Sequence, residues 1–169
     1  MPVGGYAAYN RNTAAKKALE NNSTHLMFID HDMIFPPDGL SKLIAHDKDI
    51  ILANYNTRGV HQETVGENGE KRIALASTLK MGKKDAYEQV DVDSLPKDEI
   101  FEVAAGGTGF MLIKTEVFKK LPYPWFVASE EGRVWTTEDI FFCELAKEHG
   151  FKIWCDPSIE MGHMGEYTY

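Results

Sequence analysis

The sequence predicts an α/β fold: a mixed, mainly parallel central sheet of short buried strands with helices on its faces. Three observations lead there. Residues 26–29 (LMFI) and 49–54 (DIILAN) are short apolar runs bounded by charged or turn-forming residues, the pattern of strands buried on both faces. Between them, Asp38 precedes Leu40, Leu43 and Ile44 at helical spacing. Strand, helix and strand make a βαβ unit, so the two strands should be parallel. Any ligand site should then lie beyond their carboxyl ends.

At 169 residues and 43% hydrophobic content, the chain can bury one core, which predicts a single domain over residues 1–169. The formal net charge of -8 argues against general binding to nucleic acid or to anionic lipid, although it is compatible with a local basic pocket. Cys143 and Cys155 sit in apolar surroundings and offer neither a disulfide framework nor zinc spacing. A reducing cytoplasmic setting follows as the expectation. No stretch approaches the ~18 apolar residues of a membrane span, and the N-terminus lacks a signal-peptide pattern.

Taken in order, the opening MPVGGYAAYNRN shows no clear strand. Asn12 or Thr13 is expected to cap a helix to about Asn22, with Ala14, Ala15, Ala18 and Leu19 on one face. Arg11 falls just before it and reads as a solvated surface cation. The run 26–29, expected as a central strand, stops at Asp30-His31-Asp32 and is followed by Pro36-Pro37. At strand spacing Asp30 and Asp32 share one side and His31 points away. Two converging carboxylates either cap a turn or hold a hard divalent cation, magnesium or manganese. The polar segment 54–58 (NYNTR) lies at the same end of the predicted sheet.

Residues 72–79 are compatible with a strand, and 82–98 read as a charged loop, a peripheral hairpin or flap without assigned chemistry. Strands are expected over 101–105 and 110–113. The Gly106-Gly107-Thr108-Gly109 stretch between them is either a kink or a backbone that approaches a ligand closely. It is neither a P-loop nor a dinucleotide fingerprint. Thr115 is expected to cap a helix to Leu121, closed by Pro122 and Pro124. Thr136 or Thr137 should cap another over 138–149, ended by Gly150. Glu138 and Asp139 fall in its first turn, where acids are favoured by the helix dipole. Short strands over 151–155 and 158–162 lead to His163, which a loop can swing into a site.

Three stretches, RNTAAKKALENNSTHLMFIDHD, GGTGFMLIKTEVFKKL and TEDIFFCELAKEHGFKIWCDPSIEMGH, carry a resemblance in their order along the chain. Together they resemble nucleotide-sugar glycosyltransferases of the Rossmann-like GT-A fold, especially small phage and bacterial versions. The resemblance implies that Asp30 and Asp32 form the Asp-x-Asp motif that holds Mn²⁺ or Mg²⁺ on a UDP- or GDP-sugar and contacts the ribose. It implies His163 as a further metal ligand and Arg11 as a donor contact. Gly106, Gly107 and Thr108 would line the sugar and acceptor pocket. Glu138-Asp139 would be the acidic pair of inverting members, with Asp139 taking the proton of a carbohydrate or other hydroxyl acceptor.

Members of that family normally begin with a further strand and helix, whereas here about 25 residues precede the strand that carries the metal motif. That predicts a shortened chain, or a reduced fold whose open base site is completed by another subunit. Two other functions stay open on the sequence: a domain that binds metal and nucleotide without transfer, and a metal-dependent phosphoesterase using Asp30, Asp32 and His163.

Overall fold

The computed structural model describes residues 4–56, 62–65, 71–74, 76–83, 86–91, 95–131 and 134–164. The chain opens with helix α1 (Gly4–Glu20), then strands β1 (His25–Ile29) and β2 (Met33–Ile34), helix α2 (Gly39–Ala45) and strand β3 (Ile50–Ala53). Strands β4 (Gln62–Val65), β5 (Lys71–Ala74), β6 (Ala76–Lys83) and β7 (Ala86–Asp91) follow. Next come β8 (Phe101–Val103), β9 (Phe110–Lys114), α3 (Thr115–Lys120), β10 (Ser129–Glu131) and β11 (Val134–Thr136). Helix α4 (Glu138–Glu148) and strands β12 (Ile153–Asp156) and β13 (Gly162–His163) complete it.

The class is α/β, but the sheet is not mainly parallel. Five strands run in the order β1-β9-β3-β12-β8, and only β3 and β12 pair in parallel. The others pair antiparallel. Strands β1 and β3 do run in the same direction, as the βαβ argument requires, because both pair antiparallel with β9. What that argument does not fix is adjacency, and β9 has entered between them. As a result β1 is an edge rather than a central strand among the described ones, and Ile29 is exposed.

Alternation along β3 splits the core in two. Ile50 and Leu52 face a large cluster with Ala15, Phe118, Phe126 and Phe142, where α1, α3 and α4 pack. Ile51 and Ala53 face a smaller one with Leu43, Phe110 and Ile159. All four β3 residues are buried, which is why this run is apolar without alternation.

Several boundaries move. Helix α1 begins well before Asn12, and Ala8, Asn12, Ala15 and Ala18 form its buried stripe at spacings of three and four. The polar Asn12 interrupts that stripe and hides the pattern. Its amide donates to the carbonyls of Ala8 (2.9 Å) and Phe126 (2.7 Å), and its Oδ1 accepts from the N–H groups of Trp125 (3.1 Å) and Phe126 (3.3 Å). Asn22 ends the helix region at a φ of 53°. Of the three apolar residues Leu40, Leu43 and Ile44 in α2 only Leu43 is buried, while Leu40 and Ile44 are exposed, and Asp38 pairs with Lys42 (3.2 Å) instead of capping. Thr115 is the first residue of α3, not its cap, and its hydroxyl donates to the Ser23 carbonyl (2.5 Å). Helix α4 ends at Glu148, with Gly150 at a φ of 84°.

Of the loop, hairpin or flap expected over 82–98, the described residues show the hairpin. β6 and β7 form an antiparallel pair, and β6 bridges the main sheet region at Lys80 and Ala105. Val103 ends β8, so the 101–105 strand is shorter than expected, whereas β12 extends to Asp156. β13 begins only at Gly162, four residues later than expected.

The end of β12 is held by Asp156, which is buried. Its carboxylate accepts from the Ser158 N–H (2.9 Å) and pairs with His46 Nε2 (2.9 Å) at the end of α2. Burial alone would raise the pKa of this carboxyl, but the Ser158 and His46 hydrogen bonds hold it below the ordinary aspartate value. A group depressed in the folded state contributes stability above its unfolded pKa and loses it as pH falls through the folded one. Denaturant midpoints measured from pH 5 down to pH 2 should therefore fall less steeply in Asp156→Asn than in the wild type.

Candidate active site

The site is assembled at the carboxyl ends of β1 and β3 from segments far apart in sequence. Strand β1 stops at Ile29, and Asp30 enters a turn closed by Met33 N–H donating to the Asp30 carbonyl (3.2 Å). The strand does not persist, so Asp30 and Asp32 do not share a strand face, and they meet different partners.

Asp30 is half-exposed. Its Oδ1 pairs with Arg11 (3.2 Å), which also pairs with Glu138 at the start of α4. Arg11 is therefore no solvated surface cation. It lies inside α1 with its side chain only 12% exposed, between two carboxylates. That burial is sustained because both partners are acidic. Burial pushes the Glu138 carboxyl above the ordinary glutamate value, and the Arg11 charge opposes the shift.

Asp32 is buried and faces His163, with 3.4 Å between its Oδ2 and His163 Nε2. Neighbours on either side of the ring hold His163. Its Nδ1 donates to the Asn56 carbonyl (2.7 Å), and its ring meets the Tyr55 ring edge-on at 5.4 Å. The histidine does not swing in on a loop. It lies in β13, which pairs antiparallel with β2, His163 opposite Met33, and Met164 N–H donates to the Asp32 carbonyl (2.9 Å). A backbone carbonyl on Nδ1 fixes the tautomer that turns Nε2 toward the carboxylate, the usual support of a metal-ligating histidine. Asp30 does not join this pair. Among the described residues, no group of three or more His, Cys, Asp or Glu side chains is arranged to hold a metal. Asp32 and His163 bring one carboxylate and one imidazole, two donors, to the same point.

Asp139 lies beside Glu138 in the first turn of α4. Its Oδ1 accepts from the Thr137 hydroxyl and from the Ile140 N–H (2.8 Å). The Thr137 hydroxyl is thus spent on Asp139, and it makes no cap bond to the helix backbone.

The Gly106-Gly107-Thr108-Gly109 stretch packs against Tyr55 and the core. A Cβ on Gly106 would fall 2.6 Å from Leu52, and one on Gly109 2.6 Å from the Tyr55 hydroxyl. That hydroxyl accepts the Gly109 N–H (2.9 Å). Close packing thus accounts for glycine at these positions. Burial drives the Tyr55 pKa far upward, and Asp139 and Asp30 add to the shift. Tyr55, which sequence reading passed over, therefore feels both acidic elements of the site. The Thr108 hydroxyl is fully buried and lacks a hydrogen-bond partner among the described residues. The only early signal for Tyr55 was its place in the polar segment after β3.

A cavity of about 440 Å³ adjoins this cluster. It opens beyond the carboxyl ends of β3 and β12, between residues 54–56, 95–97 and 157–161. Cys143, whose thiol donates to the Gly106 carbonyl (3.7 Å), and Cys155 are both buried, and burial pushes both thiols up to about 12, so neither offers a nucleophile. No helix among the described residues is long and apolar enough to cross a membrane.

No family model matches the chain, and no curated protein matches it. Among solved structures, the crystal structure of A197 from STIV is similar, with a TM-score of 0.64 at 20% identity. The match covers 95% of this chain and 68% of that one. The likeness is one of fold.

Proposed function

We propose that this chain is a metal-dependent glycosyltransferase of GT-A-like fold that moves a sugar from a UDP- or GDP-sugar to a hydroxyl acceptor. The observation that carries the reading is the Asp32–His163 pair, with Nδ1 anchored on Asn56 and Nε2 aimed at the carboxylate. It stands near a buried Arg11 flanked by Asp30 and Glu138.

In this reading Asp32 and His163 hold the cation, with Asp30 facing the donor from the turn that follows β1. A bound Mn²⁺ or Mg²⁺ would supply charge stabilisation for the departing nucleoside diphosphate. Arg11 offers a second positive charge at the donor end, fixed in position by Glu138. Gly106, Gly107 and Thr108 are buried and back the site from the core side rather than lining it, Gly107 packing against Tyr55. Asp139, anchored through Oδ1, accepts the acceptor proton as the sugar carbon is attacked, which makes the transfer inverting.

The test is calorimetric titration of UDP and GDP with Mn²⁺ and with EDTA. Wild type should bind one of them only with the metal, and Asp32→Ala and His163→Ala should weaken that binding by about 10–100-fold or more. Binding that is equal in EDTA, or unchanged in both variants, would remove the metal site from the reading.

A further inference from the structure

We infer that the cavity beside His163 is a second ligand pocket, built for a neutral, hydroxyl-rich unit such as a pyranose, whose occupancy is coupled to the Asp32–His163 pair. Its volume of about 440 Å³ falls in the range of small-molecule sites. It lies beyond the parallel strand pair β3 and β12, where α/β sheets present ligands.

The lining sets the chemistry. Asn56 and Ser158 bring an amide and a hydroxyl, groups that both donate and accept, as neighbouring sugar hydroxyls require. Pro157 and Met161, both half-buried, add apolar surface against which the C–H face of a ring can rest. Lys97 and Glu160 are exposed charges of opposite sign, so the lining selects for neither an anion nor a cation.

The coupling follows from the walls. The Asn56 carbonyl accepts the His163 Nδ1–H, and the Tyr55 ring lies against the imidazole. Residues 157–161 lead directly into Gly162 and His163. A ligand pressing on these segments shifts the groups that orient Nε2, and a cation on Nε2 must alter ligand affinity by the same factor. The role as acceptor pocket rests on the transfer reading above, whereas the pocket itself does not.

The experiment is saturation-transfer NMR with methyl glucoside, methyl galactoside, methyl mannoside and N-acetylglucosamine, without nucleotide or metal. At least one probe should bind the wild type. Asn56→Leu, which keeps the backbone carbonyl, and Ser158→Trp, which fills the cavity, should each weaken it about tenfold or more, while Lys97→Ala stays within about threefold. Bound probe should change the Mn²⁺ affinity by about fivefold or more. Thermal melting identifies a variant that fails to fold, and the other then carries the comparison.

No binding by any probe, or binding indifferent to both pocket variants, overturns the proposal. Loss confined to Lys97→Ala also overturns it, because the ligand would then be anionic. An unchanged Mn²⁺ affinity overturns the coupling. The nucleotide titrations separate the two ideas: metal-dependent UDP or GDP binding without probe binding sinks only the pocket, and the converse sinks only the transfer reading.

Discussion

Asp139→Asn is expected to lower sugar transfer by about 10²–10⁴-fold, the usual cost of losing a general base, with metal-dependent donor binding intact. The substitution is well matched to its surroundings. Asp139 Oδ1 accepts from the Thr137 hydroxyl and the Ile140 N–H, and an asparagine carbonyl oxygen can accept both. Shape and rotamer therefore persist while the proton acceptor is lost. Single-turnover transfer at saturating donor, read beside calorimetry of the nucleotide, separates the two effects. Full turnover in the variant would remove Asp139 from the mechanism. A wild type that binds nucleotide and transfers nothing would identify a binding domain instead.

The largest expected effect on stability belongs to Asn12→Leu, at about 2–5 kcal/mol of destabilisation. Leucine keeps the volume, but the Trp125 and Phe126 N–H groups, buried beside α1, lose their acceptor. Each orphaned buried donor costs roughly 1–3 kcal/mol. For a chain of this size the melting temperature should fall by roughly 5–15 °C. Urea midpoints with an unchanged m-value would confirm a native-state effect, whereas a loss below ~1 kcal/mol would show that the 125–126 segment finds other acceptors.

Legibility of the sequence followed the range of the interactions. Runs such as 50–53 and the helix at 138–148 declare themselves because apolar periodicity and end signals are local. The order of strands is not local. Nothing in residues 26–29 or 50–53 announces that Phe110 to Lys114, as β9, will lie between them. Arg11 was misread for the same reason: its two partners, Asp30 and Glu138, are supplied by other elements. Asn12 looked like a cap because asparagine favours caps, yet tertiary hydrogen bonds hold it inside a helix. The meeting of Asp32 with His163 was expected only through family resemblance. Asp30 was expected with them through strand spacing, and the turn after Ile29 defeats that geometry.

The pairing of β13 with β2 also sets an order of events during synthesis. The Asn56–His163 hydrogen bond spans 107 residues and the Arg11–Glu138 contact 127. A ribosome delivers Arg11, Asp30, Asp32 and Asn56 long before their partners emerge. A nascent chain carrying β1, β3 and β9 can pair those strands before the His163 imidazole arrives with β13. Closures of such long sequence separation are slow, since the entropy of the intervening loop is lost before any contact rewards it. A pulse-chase readout should accordingly find a protease-resistant core before the segment around His163 becomes protected.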